Sequence, residues 1–512
     1  MPAFATEEKI PYQPLICNLF LPLPDTDFRD FLDEVDELIR FAPEIITAIE
    51  GDLDVHAREK KKLRLEDRKF FESQTKKIPG LDIEEGEILS KELKLAVGRP
   101  RMPAEVVYVF LMLRGFLGSL STKESQMFLR ESMSLHGFLE QRGLKMPGRS
   151  TICENINAVS YQTRELIFDR QVKRILQETL DDFKNLTIDS TAVKANSSWP
   201  SDSKILTGLL MRVNRLGQKL ELFELKNFRQ GWVPRWLGEM EKQDFQICLV
   251  SGKVNAKTLR KRHYRKLLRC GEKALAALKN EFDALEKAVQ LETIVPSRRV
   301  LLKRIIEQIR SDLSDATRVI EYTTDRIFNE KNRPSTEKVL SLSDGSAAFI
   351  KKGNRELVVG YKPQLVRSQH GFVTSLIVPK GNAADSIKLV PAILDSIKRT
   401  GVVAELVSTD DGYASKNGRD KLRSMGVQIV SISGAKGKKL TAQEDWESET
   451  YRDARRCRSA VESLMFTIKD GFAFGELSRR GIENVRDELL EKVLAYNFCR
   501  RIEMKKRRQK VA

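Results

Sequence analysis

One short run constrains the fold more than any other. At the head of LTIDSTAVKAN, apolar Leu186 and Ile188 alternate with polar Thr187 and Asp189, the period of a strand. The next strand-like run begins only at Val339, after a long stretch whose spacing is helical. From there VLSLSD, ELVVGYKPQLV and FVTSLIVPKG read as strands separated by GNR and SQHG, which predicts antiparallel hairpins. SIKLVPAILDSIKRTG then reads as a helix ending at Gly401, and AELVSTDDGYAS as a buried strand ending in Asp410 and Asp411. KNGRDKLRSMG is another helix and VQIVSIS a short strand. The order is strand, long insertion, a strand meander, then alternating helix and strand. It predicts an α/β domain with a mixed sheet, discontinuous over residues 181–211 and 336–475.

The flanking regions read as helical. Residues 1–97 begin with a proline-spaced segment and continue as a dense mixture of both charges. In 98–180, AEVVYVFLMLRGFLGSL has the apolar density of a buried helix. Ser121 with Glu124 and Thr151 with Glu154 are spaced as capping boxes, the second opening a helix that runs to about Leu180. Such a unit suits DNA docking and equally suits an ordinary packed module. Within the insertion, 212–335, TLRKRHYRKLLR carries basic residues at helical spacing. Leu275, Leu278, Phe282, Leu285 and Val289 repeat at threes and fours, as do Leu302, Ile306, Ile309, Leu313, Ala316 and Ile320, which predicts a coiled-coil hairpin. Residues 476–512 read as a C-terminal amphipathic helix with a basic tail, Lys505 to Lys510.

The 512 residues contain 89 Lys and Arg against 72 Asp and Glu, a net charge of +17. An excess of this size points to a polyanionic partner, nucleic acid first. No apolar run reaches the roughly 20 residues of a membrane span, and the N-terminus lacks the basic-then-apolar order of a signal peptide, so a cytoplasmic chain is expected. The six cysteines show no C-x-x-C spacing and the histidines number four. A zinc site, a disulfide framework and histidine-based acid–base chemistry are all poorly supplied, which leaves carboxylates as the chemistry-bearing groups.

One carboxylate stands out in RRCRSAVESLMFTIK. On a helix, Ala454, Cys457, Val461, Leu464, Met465 and Ile468 form one stripe, while Arg455, Arg458, Glu462 and Lys469 share the opposite face. Taken alone this is either a solvated face with an Arg458–Glu462 ion pair or a metal-binding carboxylate among phosphate-binding cations. The other acids bear on the choice. Asp189 and Asp410 each end a strand, the position where functional residues of α/β sheets gather. Three converging carboxylates need cations to neutralise them, and two Mg²⁺ ions would do so while supporting in-line phosphoryl displacement on DNA.

The arrangement resembles the bacterial insertion-sequence transposases of the DDE class. IDSTAVKANSSWPSDSKIL, TDDGY and the spacing of Arg458, Glu462 and Lys469 carry the resemblance, the last filling a Y-x2-R-x3-E-x6-K signature in which Arg455 stands where relatives have tyrosine. SLSDGSAAFIKKGN, VVGYKPQL and GFVTSLIVPKGNAAD also look like family stretches. The resemblance implies a ribonuclease-H-like catalytic core in which Asp189, Asp410 and Glu462 bind two Mg²⁺ ions, with Mn²⁺ as a substitute. It selects Asp410 over Asp411, and implies that Arg458, Lys469 and Arg455 contact DNA, with Thr191 and Tyr413 in support. It further implies transposon terminal inverted repeats and target DNA as partners, a homodimer on DNA for which the hairpin at 275–320 is a candidate interface, and a place at the bacterial nucleoid. A nuclease of the same fold without strand transfer, or a non-catalytic DNA-binding derivative, would share most of these features.

Overall fold

The computed structural model describes residues 28–75, 101–120, 123–223, 225, 232–250, 252, 254–289, 293–351 and 357–511. The chain divides into two compact units. One comprises Met1–Leu53, Met102–Asn196 and Ile350–Ala512, the other Asp54–Arg101 and Ser197–Phe349.

The first unit is built on a five-stranded sheet of β1 (Asn185–Ser190), β2 (Gln364–Ser368), β3 (Val373–Ile377), β4 (Leu406–Thr409) and β5 (Ile429–Ile432), in the order β3-β2-β1-β4-β5. β1 runs antiparallel to β2, with Asp189 opposite Leu365, and parallel to β4, with Thr187 opposite Ser408. β2 and β3 are antiparallel, β4 and β5 parallel. This mixed α/β architecture fits a ribonuclease-H-like domain. The early strand therefore sits at the centre of the sheet, joining its antiparallel and parallel halves. Alternation along the strands assigns each side chain a face. Leu186, Ile188, Val366 and Val407 pack with Leu389 and Ile393 of the helix Leu389–Thr400 and Leu422 of the helix Lys416–Ser424. On the other face Ser408 donates to the Ala454 carbonyl at 2.7 Å, and the Tyr451 hydroxyl accepts from the Ile432 amide at 3.1 Å, which docks the helix Glu449–Cys457.

Several elements differ from the sequence reading. ELVVGYKPQLV is two strands, because Pro363 cannot continue a ladder. Its first half, Val358–Tyr361, turns away to pair with Val193–Lys194. The helix expected from Thr151 to Leu180 is two, Arg149–Ala158 and Tyr161–Gln177. Ser160 breaks and recaps it by accepting from the Thr163 amide at 3.2 Å. Ser121, one end of the other expected capping box, lies outside the described residues. The C-terminal helix Ile482–Val511 is less amphipathic than expected, since Val485, Leu489, Leu490, Val493, Leu494 and Cys499 are wholly buried. Asn497 on this helix bonds both the amide and the carbonyl of Val373 at 2.9 Å, closing the β3 edge of the sheet. Its partner helix is Ala104–Phe116, where a Cβ at Gly115 would overlap the Glu491 carbonyl. That approach requires glycine.

The second unit is helical. Asp202–Lys219, Trp232–Leu249, Ala256–Ala288 and Pro296–Phe328 share one core, including Leu206, Leu209, Leu237, Met240, Leu278 and Ile309. The expected hairpin is present as its last two helices, but its seam is not a two-stranded coiled coil. Leu275, Leu278, Phe282, Leu285, Leu302, Leu313 and Ala316 are buried in a core that the two earlier helices complete. Arg212 ties the first helix to the last through Asp312, with Nε–Oδ2 at 2.6 Å and Nη2–Oδ1 at 2.5 Å. The expected strand VLSLSD is instead a turn, because the Ser341 hydroxyl accepts from the Asp344 amide at 3.0 Å and Asp344 from the Ser346 amide at 3.2 Å.

Candidate active site

The first unit brings the three sequence-predicted acids to one cavity. Because β1 and β4 are parallel, continuing their register by two residues sets Asp189 level with Asp410 at the carboxyl end of the sheet. Asp189, Asp410 and Glu462 line a cavity of about 280 Å³ together with Ser190, Thr191, Arg458, Met465, Phe466 and Lys469. A larger cavity elsewhere in this unit is lined by Glu165, Asp169, Asp395 and Arg399. There Arg399 consumes all three carboxylates as ion-pair partners. The smaller cavity is the one that gathers the three sequence-predicted acids.

Local backbone chemistry fixes each acid. Asp189 is 7 % exposed and accepts from the Ser190 amide at 2.7 Å, while the Thr191 amide donates to the Pro363 carbonyl at 3.1 Å. Asp410 caps the turn Asp411–Tyr413 by accepting from the Gly412 amide at 3.0 Å. Its neighbour Asp411 faces elsewhere and accepts from the amides of Lys436 and Gly437, both at 2.9 Å, at the start of the helix Ala435–Leu440. The geometry thus separates two adjacent aspartates, one at the cavity and one committed to a helix cap.

The predicted helix around Glu462 is broken at Arg458, into Glu449–Cys457 and Ser459–Gly471. Ala454, Val461, Leu464 and Ile468 are buried as the stripe requires, but Cys457 is exposed, since the break takes it off the stripe. Glu462 keeps a side chain 59 % exposed and pairs with Arg458, Nη2–Oε1 at 2.8 Å. Lys469 lines the cavity and donates to the Ala192 carbonyl at 3.0 Å. Arg455 is not brought to the cavity: its guanidinium lies over the Trp446 ring, 4.0 Å from the centroid, and donates to the Trp446 carbonyl at 2.9 Å. A residue stacked in this way is engaged within its own unit.

Beneath the acids runs a polar relay that sequence reading did not assign. Lys362 pairs with Asp385 at 2.9 Å, and the buried Gln364 amide donates to the other Asp385 oxygen at 2.9 Å. The Tyr413 hydroxyl in turn donates to Gln364 Oε1. Burial first, then the carboxylates of Asp385, Asp189 and Asp410, push the Tyr413 phenol far above its usual range, so it remains a donor. A lysine and a glutamine within an otherwise apolar strand run were the available signal for this relay. Tyr413→Phe leaves the buried Gln364 oxygen unsatisfied and should cost about 1–3 kcal/mol of stability, read by chemical denaturation. An unchanged midpoint would show that the relay does not support the site.

Among the described residues, no group of three or more His, Cys, Asp and Glu is arranged to hold a metal ion. The donor set nonetheless fits a hard divalent cation in kind, being carboxylate oxygens in one cavity. Glu462 meets Arg458 through Oε1 alone, so its other oxygen remains a possible metal ligand.

Residues 323–498 match the transposase DDE domain family. The matched segment contains β2 to β5, Asp410, Glu462, Arg458 and Lys469, and excludes Asp189. The chain therefore carries a DDE-class transposase domain. No curated protein and no solved structure matches the chain significantly. Among the described residues, no helix is long and apolar enough to cross a membrane.

Proposed function

We propose that the chain is a DNA transposase that cleaves transposon ends and joins them to target DNA, with Asp189, Asp410 and Glu462 as the catalytic carboxylates. The observation that carries this reading is their common cavity at the carboxyl end of a β3-β2-β1-β4-β5 sheet, in a chain that carries a transposase DDE domain.

DDE transposases generally use divalent metal ions, and Asp189, Asp410 and Glu462 are the residues that would hold Mg²⁺ here, with Mn²⁺ as a substitute. When bound, such ions polarise the phosphodiester and favour deprotonation of the attacking hydroxyl. The protein's own contribution is positional. Arg458 and Lys469 line the same cavity and suit the phosphate of the scissile strand. Arg458 bonds Glu462 through one Nη, so the guanidinium has further donors for a phosphate beside the carboxylate. Tyr413, held by the relay, keeps Asp189 and Asp410 over a polar but closed floor. DNA, comprising the terminal inverted repeats and a target, is the proposed partner, and paired ends imply a homodimer on DNA. Work on chromosomal DNA places the chain, in this reading, in the cytoplasm at the bacterial nucleoid.

The test is to incubate the full chain with labelled linear DNA carrying the sequences that flank its own gene, with Mg²⁺ or Mn²⁺. Joined products are the expected result. Nicks without joining would replace the transposase by a nuclease of the same fold, and binding without any chemistry would reduce the chain to a DNA-binding protein.

A further inference from the structure

The helix Ala256–Ala288 of the second unit carries its charge in an order that does not favour the helix itself. From Ala256 to Gly271 it holds seven Lys and Arg and no Asp or Glu, and its acids follow only from Glu272 onward. The helix dipole favours acids in the first turn, yet that turn has none and carries Lys257. Tyr264, Leu267, Leu268, Ala274 and Leu275 bury one side of the helix in the bundle core. On the opposite side Arg262, Lys266, Arg269 and Lys273 follow one another at four, three and four residues, all within about 60°. All four are exposed, and among the described residues none is ion-paired with a carboxylate. Like charges four apart destabilise a helix, and this ridge holds two such pairs, Arg262 with Lys266 and Arg269 with Lys273. A merely solvated face alternates the two signs. The basic C-terminal tail shows the contrast, since Lys505 meets Glu34 at 2.7 Å, Lys506 meets Asp30 at 2.6 Å and Arg507 pairs with Glu503. Those cations are neutralised within their own unit, and the ridge is not.

Unbalanced charge of this kind is matched by a polyanion. The ridge is about 16 Å long, and a duplex presents roughly one charge per 1.7 Å of its axis, so each cation can meet a separate phosphate. We propose that the outer face of this helix, through Arg262, Lys266, Arg269 and Lys273, is a docking surface for the phosphate backbone of duplex DNA. The contact is independent of base sequence, because phosphates carry none. An anionic membrane is the poorer occupant, since the apolar side that would enter it is buried in the bundle core. The inference rests on the reading of the chain as acting on DNA, and it concerns a helix outside the matched residues 323–498. It gives the inserted helical unit a task of its own, holding duplex apart from the chemistry.

The probe is a fluorescein-labelled duplex of about 25 base pairs and arbitrary sequence, bound to the full chain from about 50 to 200 mM NaCl and read by anisotropy. Each phosphate neutralised contributes about 0.9 to the slope of log Kd against log salt. The variant Arg262→Gln/Lys266→Gln/Arg269→Gln/Lys273→Gln should therefore lose about 3.6 of that slope, and at least about tenfold in affinity at the lowest salt. The charge-keeping variant Arg262→Lys/Lys266→Arg/Arg269→Lys/Lys273→Arg should keep both. Because the four side chains are exposed and repel one another, the glutamine variant should unfold thermally no earlier than the wild type. Wild-type slope and affinity in the glutamine variant, or equal loss in the charge-keeping one, overturns the proposal while leaving the transposase reading intact. Tighter wild-type binding to phosphatidylserine-containing vesicles than to the duplex, lost in the glutamine variant, overturns it in favour of a lipid surface. A wild type that binds no duplex removes the DNA reading and this inference with it.

Discussion

Asp410→Asn should bind DNA as the wild type does and lose phosphoryl transfer by about 10³-fold or more, some 4 kcal/mol of barrier. The substitution keeps size and the cap to Gly412 while removing the charge that the cavity presents beside Asp189 and Glu462. Its neighbour supplies the control. Asp411 accepts two amides at the start of Ala435–Leu440, so Asp411→Ala should cost about 0.5–2 kcal/mol of stability and leave the rate of the folded protein within a few-fold. Single-turnover cleavage and thermal unfolding read the two effects separately. If both aspartates changed the rate equally, the distinction between a cavity-facing and a capping carboxylate would fail.

The second large effect falls far from the cavity. Glu491 is buried on the C-terminal helix and is bound by three guanidiniums. Arg114 meets it at 2.7 and 2.8 Å, Arg164 at 2.8 Å and Arg479 at 2.6 Å. Burial alone would raise its pKa, but Arg114, Arg479 and Arg164 outweigh burial and hold it well below the usual carboxylate range. Glu491→Gln keeps the shape and leaves three buried cations around a neutral amide, which should cost about 3–5 kcal/mol. The sign of the pH dependence follows from the depressed folded value. The contribution is fully present above the ordinary value of 4.5 and is lost as pH falls below it toward the folded value. Denaturant unfolding of wild type and variant should therefore differ most near neutrality and converge in acid. A pH-independent gap would contradict the assignment of this stability to the Glu491 charge.

What the sequence disclosed and what it hid follow one physical rule. Asp189 and Asp410 were legible because strand periodicity is local and each ends a strand run, so their meeting needs only that β1 and β4 be parallel neighbours. Glu462 was legible because helical spacing set it among Arg458 and Lys469. The relay of Lys362, Gln364, Asp385 and Tyr413 was not, since its members lie up to 51 positions apart and meet only after the sheet forms. Arg455 lies away from the cavity for a related reason. Its spacing put it with the other cations, but Trp446 draws its guanidinium away. The Glu491 cluster was equally hidden, because Arg114, Arg164 and Arg479 come from three separate segments and converge on a helix that reads as amphipathic. Local periodicity thus located the acids, and tertiary packing decided which cations and polar groups serve them.

The most direct test of the central claim is the single-turnover rate of end joining in wild type and Glu462→Gln, on labelled DNA with Mg²⁺ and with Mn²⁺. The account predicts joined products from the wild type, a loss of about 10³-fold in the variant with either metal, and DNA affinity at least as high as the wild type's, because Arg458 is relieved of its carboxylate partner. Joining by Glu462→Gln at the wild-type rate would contradict it, leaving Glu462 as a solvated ion-pair partner of Arg458.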